Sequence, residues 1–344
     1  IALKLRNAGI QPNDLLLLVF DHSYELVATF FGAMYAGAVP SILPYIPPEP
    51  RSLVYREQIK QLVHSSHAAA IVTKPEYQAY LSESLNDAEC RIIALAPLAA
   101  NSESNLPPAP VNESGDIAYI QFSSGTAGVP KGVRQTHSAL DHYLDITAQA
   151  LALTPDDVTV GWLPLYHDMG LVTQILQPLF SRQHSVLMSP SDWLVHPELL
   201  FQAIGDYRGT LNWMPNFALR YCVRGIRDEQ IAGIHLDSWR VVGCGSEPVQ
   251  LDDLEAFAAR FAQYGLQRKA LTVGYGLAEH VAGVTLTPRD RFPNYEWISE
   301  QGLANAKATP AEPYSKNSRA ILSCGYPKPT VSLRIENELG QELG

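Results

Sequence analysis

The sequence has few cysteines and no long hydrophobic run. The four cysteines are Cys90, Cys222, Cys244 and Cys324, and no two of them form a Cys-x-x-Cys pair. This spacing argues against a zinc site or a disulfide framework and favours the reducing cytoplasm. The longest apolar run near the start, Leu15–Phe20, is roughly a third of the ~20 residues that a membrane-spanning helix needs. We therefore expect a buried strand there and no membrane span.

Positive charge is also in short supply. Lys and Arg number 25 against 35 Asp and Glu, a net charge of -10. Because no basic surplus is available to neutralise a phosphate backbone, a nucleic-acid partner is not expected. A mononucleotide remains compatible, since it needs only a few local donors and a metal ion. No basic segment precedes an apolar stretch at the start, so no signal peptide is visible. The chain opens at Ile1 rather than at a methionine, which suggests that it has been cut.

Short apolar runs alternate with longer helical stretches along most of the chain. This alternation predicts an α/β fold with mostly parallel sheets covered by helices. The predicted strands are Leu15–Phe20, Ala69–Thr73, Arg91–Leu95, Ile117–Phe122, Val158–Trp162, Ser185–Leu187, Thr210–Trp213, Arg240–Val242 and Leu271–Val273. The predicted helices are Tyr24–Ala36, Glu76–Leu85, Ser138–Leu151, Leu171–Phe180, Pro197–Asp206, Phe217–Arg224 and Leu251–Tyr264.

Irregular segments divide the chain. Residues 101–114, rich in Asn, Ser, Pro and Glu, predict a surface linker, and residues 288–318, with few apolar positions, predict an irregular surface excursion. The expected organisation is therefore two lobes, 1–110 and 115–287, a surface insertion at 288–318 and the start of a further β region at 319–344.

The most informative string is Ser-Ser-Gly-Thr-Ala-Gly-Val-Pro-Lys at residues 123–131. It follows a predicted strand and precedes a helix expected to begin near Thr136 or His137, and free backbone N–H groups at a helix start favour oxyanions. The spacing is not that of a P-loop, and Ser-Gly-Thr alone would also suit an ordinary turn. The whole string predicts a triphosphate-binding loop whose candidate ligands are Ser123, Ser124, Gly125, Thr126, Gly128 and Lys131.

This string resembles the signature of the adenylate-forming superfamily, and three more blocks follow in the order that family shows. Trp162–Leu171 looks like its second core motif, Gly243–Val249 like its adenine-binding turn, and Gly274–Glu279 like the motif with an aromatic residue and a metal-linked glutamate. The residues of the second block, together with residues 215–219 and 322–327, are most similar to the corresponding motifs of fatty acyl-AMP ligases. The excursion at 288–318 occupies the place of an insertion associated with ligases that do not use coenzyme A.

The resemblance implies the large domain of an acyl-adenylate-forming enzyme, incomplete at both ends. Its fold would be α/β, with two lobes of mostly parallel sheets flanked by helices in ABABA-like layers, and the small C-terminal domain of the family would be absent. It implies ATP and Mg²⁺ as cofactors, with formation of acyl-AMP from a fatty or related carboxylic acid and release of pyrophosphate. The acyl group would then pass to the phosphopantetheine thiol of an acyl carrier protein, in polyketide, lipopeptide or lipid synthesis.

The same resemblance assigns roles to individual residues. Lys131, His167 and Glu279 would be catalytic: Lys131 on the phosphates, His167 near the substrate carboxylate and Glu279 on the metal. Adenine and AMP would be bound by Gly245, Ser246, Glu247, Pro248, Tyr275, Gly276 and Leu277. The acyl pocket would be lined by Trp213, Met214, Phe217 and Gly274, although plain core packing is an equal alternative for each of these residues.

Other interpretations stay open at this point. Transfer to coenzyme A would keep the enzyme class, whereas a non-catalytic nucleotide- or acyl-adenylate-binding module would not. Ala127 stands where many relatives carry Thr or Ser, which removes one phosphate donor. Arg220, Arg224 and Arg227 recur at helical spacing, so they form either a docking stripe for an acidic carrier protein or a solvated helix face.

Overall fold

The computed structural model describes residues 1–46, 53–83, 85, 90–96, 113–123 and 131–343. The chain divides into two compact units. Unit 1 comprises Ile1–His142 and Pro164–Asp168, and unit 2 comprises Tyr143–Leu163 and Met169–Gly344. Both units alternate strands with helices, so the predicted α/β class is confirmed. Within the described residues, no helix is both long enough and apolar enough to span a bilayer.

The strands of unit 1 are β1 (Leu15–Val19), β2 (Val39–Leu43), β3 (Ala70–Thr73), β4 (Arg91–Ala94), β5 (Ile117–Ser123) and β6 (Lys131–Thr136). The first four form a parallel sheet in the order β2-β1-β3-β4. Leu16 to Val19 of β1 are fully buried, as expected for a parallel strand covered on both faces. The helices of unit 1 are α1 (Ala2–Asn7), α2 (Tyr24–Ala36), α3 (Leu53–Ser66) and α4 (Pro75–Ser82).

Helix α2 has the bounds that the sequence predicts, and local chemistry explains both ends. The Ser23 hydroxyl accepts a hydrogen bond from the Leu26 amide at 3.4 Å, which satisfies one of the free N–H groups of the first turn. Gly37 follows the last turn with φ of 85°, a left-handed conformation that glycine adopts without strain.

Strands β5 and β6 form an antiparallel hairpin in which Ser123 lies opposite Lys131. Helix α5 (His137–Leu151) begins where the sequence predicts, near Thr136 or His137. Strand β6, which the sequence did not predict, lies between the end of the 123–131 string and this helix. The mixed sequence Lys-Gly-Val-Arg-Gln-Thr carries little strand signal of its own, because pairing with β5 rather than apolar burial fixes this strand.

The strands of unit 2 are β7 (Val158–Gly161), β8 (His184–Leu187), β9 (Leu211–Met214), β10 (Val241–Cys244), β11 (Leu271–Gly276), β12 (Gly283–Leu286), β13 (Tyr295–Ser299), β14 (Ser318–Leu322) and β15 (Tyr326–Pro327). All of these except β13 and β14 form a seven-stranded sheet in the order β15-β12-β11-β10-β9-β7-β8. The five strands from β11 to β8 in this order run parallel, β12 pairs antiparallel with β11, and β15 pairs antiparallel with β12.

The helices of unit 2 pack on this sheet around an aromatic core. Phe201, Trp239, Phe257 and Phe261 are fully buried, with neighbouring ring centroids 4.4 to 6.1 Å apart. After α5, which begins in unit 1, the helices are α6 (Asp168–Leu171), a π-helical stretch (Val172–Leu176), α7 (Gln177–Phe180), α8 (Pro190–Val195), α9 (Glu198–Asp206), α10 (Asn216–Gly225), α11 (Leu251–Phe261) and α12 (Glu300–Ala304).

The segment 288–318, predicted to be irregular, contains regular structure. Strand β13 pairs antiparallel with β14 from Tyr295–Leu322 to Ser299–Ser318, and helix α12 directly follows β13. Trp297 of β13 packs on Tyr314, with ring centroids 4.5 Å apart. The sequence pattern misses β13 because only Ile298 of its five residues is buried, so backbone pairing rather than an apolar period defines it. Strand β14 falls at the start of the β region predicted from residue 319.

A bidentate ion pair joins three elements of unit 2. Arg240 donates to Asp157 at 2.8 and 2.7 Å and to the Leu151 carbonyl at 2.9 Å. Burial opposes ionisation of Asp157, but hydrogen bonds from Arg240 and from the Thr154 amide outweigh it, so the pKa of Asp157 lies below its ordinary value. A carboxyl group with a lowered pKa stabilises the fold above its unfolded-state pKa and loses that contribution as pH falls through the folded-state pKa.

We expect Asp157→Asn to lower the free energy of unfolding by about 2 kcal/mol at neutral pH, because it leaves the guanidinium without its carboxylate. Urea unfolding from neutral pH down to the range where Asp157 protonates is the measurement, and the difference from wild type should shrink as pH falls. The neighbouring, exposed Asp156 supplies a matched control, Asp156→Asn. Equal effects of the two variants, or a difference that does not depend on pH, would contradict this account.

Candidate functional site

Two of the predicted phosphate ligands, Ser123 and Lys131, lie in the β5–β6 hairpin of unit 1. Ser124, Gly125, Thr126 and Gly128 fall outside the described residues. The backbone of Ser123 ends β5, and Lys131 begins β6 opposite it with an exposed side chain. The hairpin thus fixes where the predicted loop leaves and re-enters the sheet.

His167 lies in a turn of unit 1 that is tied to β5. The His167 amide donates to the Pro164 carbonyl at 3.2 Å, and the Gln121 side-chain amide donates to the Tyr166 carbonyl at 3.0 Å. The imidazole is half-exposed, and its Nδ1 lies 2.8 Å from a carboxylate oxygen of Asp168. A carboxylate in this position orients the ring. Asp168 is the first residue of α6.

A cavity of about 460 Å³ in unit 2 brings together most of the predicted adenine-binding residues. Strands β10 and β11 are neighbours in parallel register, so their carboxyl ends meet at one edge of the sheet, where α/β proteins usually bind ligands. One wall of the cavity is the turn that follows β10, and a second wall is the carboxyl end of β11. The predicted adenine-binding residues that line the cavity are Ser246, Glu247, Pro248, Tyr275 and Gly276, and Gly274 of the predicted acyl pocket lines it as well.

Close backbone approach explains the glycines of these two walls. A Cβ atom on Gly274 would lie 2.8 Å from the Thr285 carbonyl oxygen of β12, and one on Gly245 would lie 2.9 Å from the Gly274 carbonyl oxygen. Gly274 was predicted to leave room for an acyl chain. In the structure its missing side chain also allows β11 and β12 to pair.

A third wall of the cavity comes from the β13–β14 hairpin and the residues after it. The sequence predicted the start of a β region from residue 319, but it did not place these residues at the site, because they lie more than forty positions along the chain from β11. Strand β14 alternates between partly buried and exposed residues from Ser318 to Leu322. The additional lining residues include Arg319, Ala320, Ile321, Leu322 and Cys324.

Two of the predicted adenine-binding side chains have neighbours that fix them. Ser246 has φ of 67° and its hydroxyl lies 3.4 Å from the Met169 sulfur. Glu247 accepts a hydrogen bond from the Phe217 amide at 2.6 Å, so its carboxylate sits at the start of α10, where negative charge is favourable. Tyr275 is half-exposed, which leaves ring surface available for a planar ligand.

Helix α10 carries Arg220, one of the three arginines of the suggested docking stripe. Its guanidinium binds both oxygens of Asp253, at 3.0 and 2.7 Å, and Asn216 donates to the same carboxylate. Burial opposes ionisation of Asp253, but these hydrogen bonds outweigh it and hold its pKa below the ordinary value. Arg220 therefore fastens α10 to α11, which favours the helix-face interpretation over a docking stripe.

The predicted acyl-pocket residues occupy different environments. Met214 is fully buried in the core and Trp213 is partly buried beside Gly243. Phe217 is half-exposed, and its ring meets the edges of a stacked pair, Trp162 and Trp193, whose centroids are 3.6 Å apart. None of the three predicted residues lines the 460 Å³ cavity, so their role stays a prediction.

Glu279 lies on a 3₁₀ turn, Ala278–His280, between β11 and β12, and its side chain is exposed. The last predicted AMP-binding residue, Leu277, precedes the turn, and its amide donates to the Ala282 carbonyl at 2.9 Å. In the described ranges, no three His, Cys, Asp or Glu side chains cluster as a metal site would. A single exposed carboxylate fits Mg²⁺, which proteins usually hold through one or two carboxylates together with substrate phosphates and waters.

We expect Gly274→Ala to lower the unfolding midpoint of the protein by several degrees and to weaken nucleotide binding, because the added methyl group would force β11 and β12 apart. Gly225→Ala is the matched control, since a Cβ there meets only the Pro197 ring at 3.7 Å. Thermal unfolding with and without ATP measures both effects. A Gly274→Ala protein that unfolds and binds like the Gly225→Ala protein would contradict the proposed backbone constraint.

A family model described as AMP-binding enzyme matches residues 1–344. The chain is 30% identical to the medium-chain-fatty-acid–[acyl-carrier-protein] ligase JamA of Moorena producens, over 98% of this chain and 58% of that protein. It is 28% identical to a putative acyl-CoA synthetase of Caulobacter vibrioides, over 100% of this chain and 60% of that protein. The chain thus spans less than two thirds of the length of these relatives.

Among solved structures, the chain is similar to a fatty acyl-adenylate ligase from L. pneumophila in complex with acyl adenylate and pyrophosphate. The TM-score is 0.85 at 29% identity, over 95% of this chain and 56% of that one. A fatty acid AMP ligase from Legionella pneumophila gives a TM-score of 0.87 at 28% identity, with the same coverage.

Proposed function

The chain belongs to the AMP-binding enzyme family, and on that premise we propose that its protein activates a fatty or related carboxylic acid with ATP. A carboxylate oxygen of the acid attacks the α-phosphorus, the bond to the β-phosphate breaks, and pyrophosphate leaves. The products are acyl-AMP and pyrophosphate. We further propose that a phosphopantetheine thiol of an acyl carrier protein then attacks the acyl carbonyl, which forms a thioester and releases AMP.

The observation that carries this proposal is the cavity at the carboxyl ends of β10 and β11. The motif predicted to bind adenine and the motif predicted to supply an aromatic ring are separated by some twenty-five residues of sequence, yet both line it. Tyr275 stacks on adenine in this proposal, and the backbone from Gly245 to Pro248 faces the opposite side of the base. The similarity to JamA and to the L. pneumophila ligase supports the same chemistry, because both are named as ligases of fatty acyl groups.

The remaining residues act on the charges of the reaction. Two anions, the carboxylate and the α-phosphate, must approach each other, so their charges need neutralisation. Lys131 and the hydroxyls of Ser123, Ser124 and Thr126 bind the β- and γ-phosphates, and His167 donates a hydrogen bond to the carboxylate. Glu279 holds Mg²⁺, which when bound spreads the negative charge of the phosphates.

The acid enters beside an apolar aromatic surface in this proposal. The half-exposed ring of Phe217 lies against the Trp162–Trp193 stack, which gives a hydrocarbon chain a water-excluding contact. Met214 of β9 belongs to the same buried core cluster as Trp162 and Trp193, and Trp213 packs against that cluster.

We expect Tyr275→Ala to raise the KM for ATP about tenfold in acid-dependent exchange of pyrophosphate into ATP, because base–aromatic stacking contributes about 1 to 3 kcal/mol. Tyr275→Phe keeps the ring and should remain close to wild type. If the Ala and Phe variants have equal KM values, the ring does not contact the base.

Formation of acyl-AMP should also depend on the acid supplied. We expect the full-length protein to release pyrophosphate with fatty acids of medium or long chain, and we expect Lys131→Ala and Glu279→Gln to slow that release by at least about a hundredfold. Release with no acid in a panel that includes aromatic and branched acids would favour the non-catalytic binding module.

The thiol acceptor needs a separate assay, because one relative carries the name of a putative acyl-CoA synthetase. Purified protein with ATP and an activated acid is offered coenzyme A and a holo-acyl carrier protein in parallel. We expect acylation of the carrier protein and little acyl-CoA. Efficient formation of acyl-CoA would contradict the carrier-protein proposal and leave adenylation intact.

A further inference from the structure

Lys328 is a buried cation, with 5% of its surface exposed. Its ammonium group donates to the Tyr143 hydroxyl at 2.9 Å and to the Thr147 hydroxyl at 2.7 Å, and it lies 4.0 Å from the centre of the Tyr143 ring. Its backbone amide donates to the Val284 carbonyl of β12 at 3.1 Å. Lys328 thus joins β12, through its backbone, to two successive turns of α5, through its side chain. Burying an ammonium group is costly, so contacts of this kind call for an explanation.

The Tyr143 hydroxyl has a second partner, the Gly283 amide at the start of β12, which donates to it at 2.9 Å. The Tyr143 ring also meets the His280 imidazole edge-on, with centroids 6.1 Å apart. A single tyrosine therefore contacts both ends of the segment from His280 to Gly283. Gly283 suits this arrangement, because a Cβ there would lie 3.3 Å from the Lys328 ammonium nitrogen and 3.4 Å from the Tyr143 hydroxyl.

The backbone of this segment is strained. Val281 has φ of 67° and ψ of -54°, and the Ala282 amide donates across it to the His280 carbonyl at 2.8 Å. This is the rare, classic form of γ-turn. Its central residue is β-branched, and β-branched residues strongly prefer negative φ. Such a conformation persists only where the surroundings enforce it, and it places the carboxylate of Glu279 two residues away.

We propose that Tyr143 and Lys328 form a clamp that holds the strained turn and thereby positions Glu279 for Mg²⁺–ATP. Both are positioning residues, since they act through the backbone of the turn. The Lys328 ammonium donates charge-assisted hydrogen bonds, which are stronger than neutral ones, and so fixes the hydroxyl that receives the Gly283 amide. The role in Mg²⁺–ATP binding rests on the proposed function, whereas the clamp itself does not.

Amide hydrogen exchange tests the clamp without requiring activity. Tyr143→Phe keeps the ring beside His280 and removes the acceptor of the Gly283 amide. We expect peptides covering residues 276–283 to exchange about tenfold faster in this variant, the effect of losing one buried hydrogen bond. Tyr77→Phe is the matched control, because it removes another buried tyrosine hydroxyl that bonds a backbone carbonyl, that of Ile46 in unit 1.

The Mg²⁺ dependence of pyrophosphate exchange tests the consequence. When the binding-competent turn is less populated, the apparent affinity falls in proportion. We expect about a fivefold rise in half-saturating Mg²⁺ for Tyr143→Phe and for Lys328→Met, with little change for Thr147→Val, which leaves the Tyr143–Lys328 contact in place. The double variant Tyr143→Phe/Lys328→Met leaves neither group buried without its partner, and it should show the same shift if the single variants fold poorly.

The outcomes separate the two ideas. Equal exchange at residues 276–283 in wild type, Tyr143→Phe and Tyr77→Phe contradicts the clamp. Faster exchange with an unchanged Mg²⁺ requirement contradicts the positioning of Glu279 and leaves a purely structural contact. A wild-type protein that forms no acyl-AMP with any acid contradicts the proposed function, and the exchange result still decides whether the clamp exists.

Discussion

The parallel pairing of β10 with β11 is the constraint on which the candidate site of unit 2 depends. Because the two strands run in the same direction and in register from Val242–Leu271 to Cys244–Val273, they end at one edge of the sheet. The turn from Gly245 to Pro248 and the strand end from Gly274 to Gly276 consequently face one cavity. Hydrophobic burial supplies the stability of this arrangement, and glycines at the strand ends supply the room for it.

Polar contacts then fix the loops that leave these strands. Glu247 holds the start of α10, Asp253 joins α10 to α11 through Asn216 and Arg220, and the Tyr143 hydroxyl receives the amide that begins β12. Each contact connects a segment near the cavity to a helix that is otherwise anchored in the core. This pattern fits a site whose backbone must stay rigid while charged substrates bind and are released.

Local patterns predicted much of this fold. Helix α2 carries a serine cap and a terminal glycine, and β1 is a continuous apolar run, so both could be found from sequence. The four motifs likewise indicated the family, which the family model confirms over residues 1–344. Strands β6 and β13 could not be predicted, because partner strands rather than their own apolar period define them, whereas β14 falls at the start of the β region predicted from residue 319. The third wall of the cavity was missed because its residues lie far along the chain from the other two walls, and the Tyr143–Lys328 contact likewise joins residues 185 positions apart.

The central claim is that the cavity between residues 246–248 and 274–276 binds the adenine of an acyl-adenylate. A crystal structure with a dodecanoyl-adenylate analogue tests it most directly. We predict that the adenine stacks on Tyr275 against the Gly245–Pro248 turn, with the acyl chain beside Phe217. Density for the analogue elsewhere on the protein, with this cavity empty, would contradict the account.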